Sequence, residues 1–313
     1  MRYILIFLML VNSYSIESQN EVSPFIPEIV KKFPNVRDIT ISPNGDEIMF
    51  TAQNIMGTIS TIIHVKKDHD GFKNPKVASF SGKFFDLEPF FSHDGLKLYF
   101  VSTRPLDGSI NKAKDFDIWY VERQTISSNW SEAKNMGNPI NTEHGEFYPS
   151  IAKNGNFYFT RDNPKLKRKD DIYLSKYING ILTEPKALPN IINSDGYEYN
   201  AFISPDESFL IYGCYNRKDG LGSGDLYISF NTKDGWTEAK NLGNKINSTK
   251  MDYCPFVDFK TNTLYYTSKQ DNSKTVFKNP LTIETLLNEF NKYDNGLSRL
   301  YKIKLDKTTT GKL

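Results

Sequence analysis

Short apolar runs recur along the chain in a fixed order. Ile48-Met-Phe50, Leu98-Tyr-Phe100, Phe157-Tyr-Phe159, Leu210-Ile-Tyr212 and Leu264-Tyr-Tyr266 each follow a turn segment. Those turns are Ser42-Pro-Asn-Gly45, Ser92-His-Asp-Gly95, Lys153-Asn-Gly155, Ser204-Pro-Asp-Glu207 and Lys260-Thr-Asn262. Asn-Gly or Asp-Gly between apolar runs signals a hairpin, because such turns need positive φ. Before each turn lies a run with an acidic residue: Asp38, Glu88, Glu146, Glu198 and Asp252. A third run follows as Thr61-Ile-Ile-His-Val65, Asp117-Ile-Trp-Tyr-Val121, Asp171-Ile-Tyr-Leu174, Asp225-Leu-Tyr-Ile228 and Arg299-Leu-Tyr-Lys-Ile303.

The fourth part is clearest in Trp130-Ser-Glu-Ala-Lys-Asn-Met-Gly-Asn-Pro-Ile-Asn141 and Trp236-Thr-Glu-Ala-Lys-Asn-Leu-Gly-Asn-Lys-Ile-Asn247. Leu182-Thr-Glu-Pro-Lys-Ala-Leu-Pro-Asn-Ile-Ile-Asn193 is a degenerate copy, and Phe72-Lys-Asn-Pro75 holds the place in the first repeat. The period is roughly 50–60 residues, and a repeat this short needs its neighbours to cover its apolar faces. Four antiparallel strands per copy predict an all-β fold, a β-propeller of about five blades, with six as the alternative. The last copy lacks a fourth strand. Residues 22–35 precede the first copy and could fill that place, closing the ring through both termini.

One stretch breaks the pattern. Asn279-Pro280 reads as an N-cap and helix start, Ile283, Leu286, Leu287 and Phe290 follow helical spacing, and Gly296 lies past the end. A short amphipathic helix over 280–293 is expected inside the last blade, plugging a gap in the ring, with a mobile lid as the alternative.

Met1-Arg-Tyr-Ile-Leu-Ile-Phe-Leu-Met-Leu-Val11 has the form of a secretory leader, too short to span a membrane. The organisation expected is a leader over 1–19, one propeller domain over 20–307 and a disordered tail over 308–313. An exported protein, periplasmic or secreted, follows, without a leader cysteine to carry a lipid and without membrane insertion of the mature chain. A formal charge of +2 over 313 residues, with no basic stripe, argues against nucleic acid. A monomer is expected.

The Ser-x-Asp/Asn-Gly turns, the Leu-Tyr-Phe-x-Ser-x-Arg segment at Leu98–Arg104 and the Asp-Ile-Trp/Tyr runs resemble the WD40-like PD40 repeats of TolB-type propellers. The resemblance spans nearly the whole mature chain and is closest to secreted bacterial members. It implies a propeller outside the cytoplasm; TolB-like members act as interaction platforms, while some propellers of similar form are glycan-active enzymes. The turns also resemble sialidase Asp-boxes, but lack the aromatic residue that completes that motif.

Propeller topology puts the links entering the inner strands on one face, together with the loops between second and third strands. An acidic set (Asp86, Glu88, Glu146, Glu198, Asp252) and a basic set (Arg104, Arg161, Arg217, Lys269) fall there. Residues repeated in every blade point first to a structural job, an acid–base pair tying adjacent blades. His144 departs from the repeat, and Tyr197 and Tyr199 flank Glu198 where a ring could stack on a sugar; Tyr99, Trp119, Tyr148 and Tyr253 are further aromatic candidates near the ring. The four His share no ligand spacing, so no metal and no cofactor is expected. Asp219-Gly-Leu-Gly-Ser-Gly224 precedes a strand rather than a helix and reads as a tight loop, not a phosphate cradle. Cys214 and Cys254 fall on adjacent blades and could form a disulfide or remain two buried thiols. Asn129-Trp-Ser131 and Asn247-Ser-Thr249 match a glycosylation sequon by chance.

The expected function is a protein- or oligosaccharide-binding platform using the charged face around the channel. The alternative is a glycan-active hydrolase or lyase. That reading needs two carboxylates among Glu88, Glu146, Glu198 and Asp252 at a suitable separation, with His144 as an accessory.

Overall fold

The first strand of the described chain completes the last blade. The computed structural model describes residues 21–107, 114–162, 170–215 and 217–305. The expected leader and tail lie outside them.

Five antiparallel sheets follow in sequence order. Written from the inner strand outward, blade 1 is Asn35–Ile41, Glu47–Gln53, Ser60–Asp68 and Gly71–Val77. Blade 2 is Asp86–Phe91, Lys97–Ser102, Asp117–Glu122 and Lys134–Asn135. Blade 3 is Gly145–Ile151, Phe157–Asp162, Asp170–Ser175 and Lys186–Ala187. Blade 4 is Tyr197–Ile203, Phe209–Tyr215, Asp225–Thr232 and Lys240–Asn241. Blade 5 takes Asp252–Asp258, Thr263–Ser268 and Arg299–Lys304 from the end of the chain and Ser23–Pro24 from its beginning. The described residues therefore build a five-bladed propeller, not a six-bladed one.

Ring closure rests on few groups. Ser23 lies opposite Lys302 and Pro24 opposite Tyr301. The Phe25 N–H donates to the Leu300 carbonyl at 2.9 Å. The Phe25 ring packs edge-on against Tyr265, with centroids 4.8 Å apart.

The long repeat segment has a physical cause. Its terminal asparagine reaches back to the third strand of the same blade. Asn141 accepts from the Ile118 N–H at 2.9 Å and donates to the Ile118 carbonyl at 2.8 Å. Asn193 does the same for Ile172 and Asn247 for Leu226. One amide thus serves two buried backbone groups that a missing strand would leave bare. Asn247 is buried in this role, which fits its sequon being coincidental.

Between blades the core is apolar. Met49, Ile62, Phe91, Leu98, Phe100 and Trp119 seal blade 1 against blade 2. Tyr158, Ile172, Ile203, Leu210 and Tyr212 join blades 3 and 4. Burial of each large side chain contributes about 1.5–3 kcal/mol.

Each inner strand carries a bulge at one equivalent position, occupied by Asp38, Glu88, Tyr148, Asn200 and Cys254. All five have positive φ, a conformation that non-glycine residues adopt only when the surroundings hold them there. The hold comes from the preceding blade. The Glu88, Asn200 and Asp38 N–H groups donate to the hydroxyls of Thr51, Thr160 and Thr267. Blade 2 has Val101 where blades 1, 3 and 5 carry threonine, so the Tyr148 N–H takes the Glu88 carboxylate instead, at 2.7 Å.

The inserted helix runs Ile283–Phe290, between the second and third strands of blade 5 as expected. Its cap differs from the expected Asn279-Pro280. Thr282 and Thr285 exchange side-chain and backbone bonds in a capping box, and Asn291 rather than Gly296 closes the other end. None of its residues is buried, so it does not plug the ring. No described helix is long and apolar enough to cross a membrane.

Candidate functional site: the face of the blade-entry links

The links and the second-to-third loops share one face, as topology requires. The acids expected there are present but enclosed. Asp86, Glu146, Glu198 and Asp252 are all essentially inaccessible. Asp86 meets Arg104 at 2.8 Å, Glu146 meets Arg161 at 3.0 Å, and Glu198 meets Arg217 at 3.6 Å.

These pairs lie within one blade, which corrects the expectation that they bridge blades. The register explains it: Glu146 lies opposite Arg161 on neighbouring strands of one sheet. The guanidinium then reaches the incoming link. Arg104 donates to the Phe80 carbonyl, Arg161 to Ile140 and Arg217 to Ile192. The acid holds the same link through a hydroxyl: Ser81 to Asp86, Thr142 to Glu146, Ser194 to Glu198 and Ser248 to Asp252. Blade 5 has no arginine in this place. Lys269 is exposed and, among the described residues, forms no ion pair with Asp252.

Burial raises the Glu146 carboxyl to about 7, against the bonds from Thr142 and the charge of Arg161. Burial likewise raises Asp252 to about 6. Neither group is open to a substrate.

Glu88 does not belong to this set. It sits two residues beyond the Asp86 register, at the bulge position, so its equivalents are Asp38, Tyr148, Asn200 and Cys254. These five project to the ring axis and form one asymmetric network. Arg37 donates from Nε to Asp38 at 2.6 Å and from Nη2 to Glu88 at 2.7 Å. Asn200 donates to Glu88 at 3.1 Å. The Cys254 thiol donates to Asp38 at 2.6 Å and contacts the Asn200 side-chain oxygen Oδ1 at 3.3 Å. The Tyr148 hydroxyl crosses to the Pro255 carbonyl at 3.0 Å. Burial pushes Glu88 up to about 7, opposed by Arg37 and reinforced by Asp38. It pushes the Cys254 thiol up as well, so the thiol stays protonated.

Sequence reasoning missed this network as a unit. Its signal was present: each member lies four residues before the residue that opens the hairpin turn, at Ser42, Ser92, Ala152, Ser204 and Asp258. The residue type changes in every copy, whereas the enclosed acids repeat.

The remaining candidates separate. Tyr148, Tyr199 and Tyr253 cluster with Cys254, bordered by Tyr197, Tyr215 and Met251. Tyr199 stacks near Tyr215 at 4.8 Å and is buried; a Cβ on Gly213 would approach its ring to 2.7 Å. Only Tyr197 of the flanking pair keeps a partly exposed ring. Trp119 packs between blades and Tyr99 packs on Phe157, away from the mouth. His144 lies 3.8 Å from the exposed Glu143 carboxylate. The glycine loop is a tight loop: the Leu221 and Gly222 N–H groups bond the carboxylate of Asp225 itself. The thiols do not join, because Cys214 bonds Glu198 at 3.0 Å while Cys254 bonds Asp38.

This face also exposes a set of apolar side chains. Ile55, Met56 and Ile59 in the blade 1 loop are all at least 66% exposed. Val276, Ile283, Leu287 and Phe290 of the blade 5 insertion are all at least 50% exposed. Asn35 ties the two loops together, accepting from the Ser298 N–H and donating to the Asn54 carbonyl. Leu106 and Leu221 are exposed in the equivalent loops of blades 2 and 4.

No family model matches the chain, and no curated protein matches it in sequence. Solved structures do match in fold. An α-L-arabinofuranosidase from Lactobacillus brevis superposes with a TM-score of 0.51 at 14% identity, covering 89% of this chain and 95% of that one. A GH43 endo-arabinanase from Bacillus licheniformis gives 0.50 at 14% identity over 87% and 94%. A TolB structure from Agrobacterium tumefaciens gives 0.47 at 14% identity over 78% and 73%. At this identity the likeness shows the propeller fold alone.

Proposed function

We propose that this chain is an exported binding propeller whose partner is a protein, docked on the apolar loops of blades 5 and 1. One contrast carries the reading. Asp86, Glu146, Glu198 and Asp252 are enclosed and bonded within their own blades, whereas the apolar residues offered to solvent on this face include Ile55, Met56, Ile59, Leu287 and Phe290. A helix that buries none of its residues contributes little to the ring and presents an apolar stripe at i, i+4 and i+7. Contiguous exposed apolar surface of this kind marks interaction sites in soluble proteins.

A second reading has one observation in its favour. Asp38 and Glu88 share a guanidinium at the axis, with Glu88 raised to about 7, the form of an acid–base couple in glycan hydrolysis. Both carboxylates are no more than 3% exposed, and that of Glu88 holds the Tyr148 N–H, which favours the platform.

The test compares wild type with Leu287→Asp/Phe290→Asp and with Glu88→Gln, in extracts for partner retention and on a glycan panel for product release. Retention lost only in the helix variant, with no product from any form, is expected. Product release abolished by Glu88→Gln establishes the hydrolase instead.

A further inference from the structure

On the opposite face, where the inner-to-second-strand turns lie, the channel ends in an apolar socket. Phe90, Phe202 and Phe256 occupy one equivalent position in blades 2, 4 and 5. Phe202 and Phe256 lie 5.5 Å apart in an edge-to-face arrangement, and Phe90 stands 6.4 Å from each. At the same position blades 1 and 3 carry Thr40 and Ser150. Those hydroxyls are turned to the next blade, where they accept from the Phe91 and Ile203 N–H groups. Three rings and two small polar residues cannot fill a five-fold space evenly.

The volume left is about 170 Å³, walled by Ile41, Phe90, Phe202, Ile203, Phe256 and Val257. Pro43, Pro205 and Phe259 also line it, and its polar lining comes from the turn residues Ser42, Ser92, His93, Asp258 and Lys260. The polar network of Arg37, Asp38, Glu88 and Cys254 lies deeper along the axis, so the socket is blind. An apolar cavity of about 150 Å³ takes one benzene ring. Larger ligand sites run from about 300 Å³. The space therefore fits one ring and no more, and the surrounding Phe edges suit an aromatic guest at offset or edge-on separations.

We propose that this socket binds a small molecule with a single benzenoid ring. The ring enters between Phe90, Phe202 and Phe256, and any polar substituent points out toward His93 and Lys260. The inference is independent of the protein-docking reading, which concerns the other face. A guest this small makes few contacts, so the expected Kd is weak, roughly 0.1–1 mM.

Titration of the full mature chain with toluene and p-cresol, followed by ring-proton NMR shifts, tests it. Saturable one-to-one binding is expected. Ile41→Trp fills the socket from a half-buried position and should weaken binding at least ten-fold while the thermal midpoint stays near wild type. Pro43→Trp provides a second block if the first fails to fold. Leu287→Asp, on the other face, should leave binding unchanged. Absence of saturation in wild type, or equal binding in both blocking variants, overturns the proposal. Binding of N-acetylphenylalaninamide without toluene or p-cresol also overturns it, making the socket a contact for a partner's side chain.

Discussion

The Arg37 guanidinium of blade 1 donates to Glu88 of blade 2 at 2.7 Å while holding Asp38 of its own blade at 2.6 Å. One cation thus bridges two enclosed carboxylates across a blade boundary. Removing it leaves both acids buried without a counter-charge, which is costlier than never having had the pair.

Arg37→Ala should therefore destabilise the propeller by about 3–5 kcal/mol in urea unfolding. Adding Asp38→Asn and Glu88→Gln should recover part of that loss. A triple variant no more stable than Arg37→Ala would show that the charges are not what Arg37 serves.

The repeat asparagines give a second expectation. Asn141→Ala strands the Ile118 N–H and carbonyl inside the blade. Each buried polar group left unsatisfied costs about 1–3 kcal/mol. Asn247→Ala should match it in blade 4. A change below ~0.5 kcal/mol at both positions would mean that water replaces the amide.

Stability should depend on pH in opposing ways. Glu146 is raised to about 7 and Asp252 to about 6 by burial. Their stabilising contribution is fully present below about pH 4, the unfolded carboxyl range, and is lost as pH rises through 6 to 7. Glu47 behaves oppositely: against its burial, bonds from His64 and Arg123 draw it down to about 2. Its contribution is present above about pH 4.5 and is lost as pH falls toward 2. The thermal midpoint should therefore drop between about pH 5 and 7.5, a loss of ~1–3 kcal/mol. Glu146→Gln, which keeps an acceptor for Thr142 and Arg161, should flatten that slope. A midpoint rising through this window in both proteins would reverse the assignment.

Thiol counting settles the cysteines. Denatured, unreduced protein should show two reactive thiols, because Cys214 and Cys254 bond different carboxylates. Finding none would place a disulfide between them.

The fold was legible because its causes repeat. The turns, the Asp-Ile-Tyr runs and the terminal asparagines each do one job per blade, so the job writes itself into the sequence several times. Even the closure by residues before the first copy followed from a missing fourth strand. The site was harder to read for the same reason. Glu88 looks like another member of the Asp86, Glu146, Glu198 and Asp252 series until the bulge register moves it by two residues. Arg37, Asn200 and Cys254 occur in different blades and share no sequence neighbourhood, so only closure of the ring brings them together. The helix was found by its period, but its exposure was not, because an amphipathic pattern says that an apolar face exists and not that this chain covers it.

The most direct test of the docking reading is photocrosslinking from a reactive residue placed at Leu287, with the more exposed Ile181 as a control on blade 3. A discrete adduct with one protein from Leu287, absent from Ile181 and lost on adding Ile55→Ser/Met56→Ser, is the predicted result. Equal, diffuse labelling from both positions would contradict a docking face on blades 5 and 1.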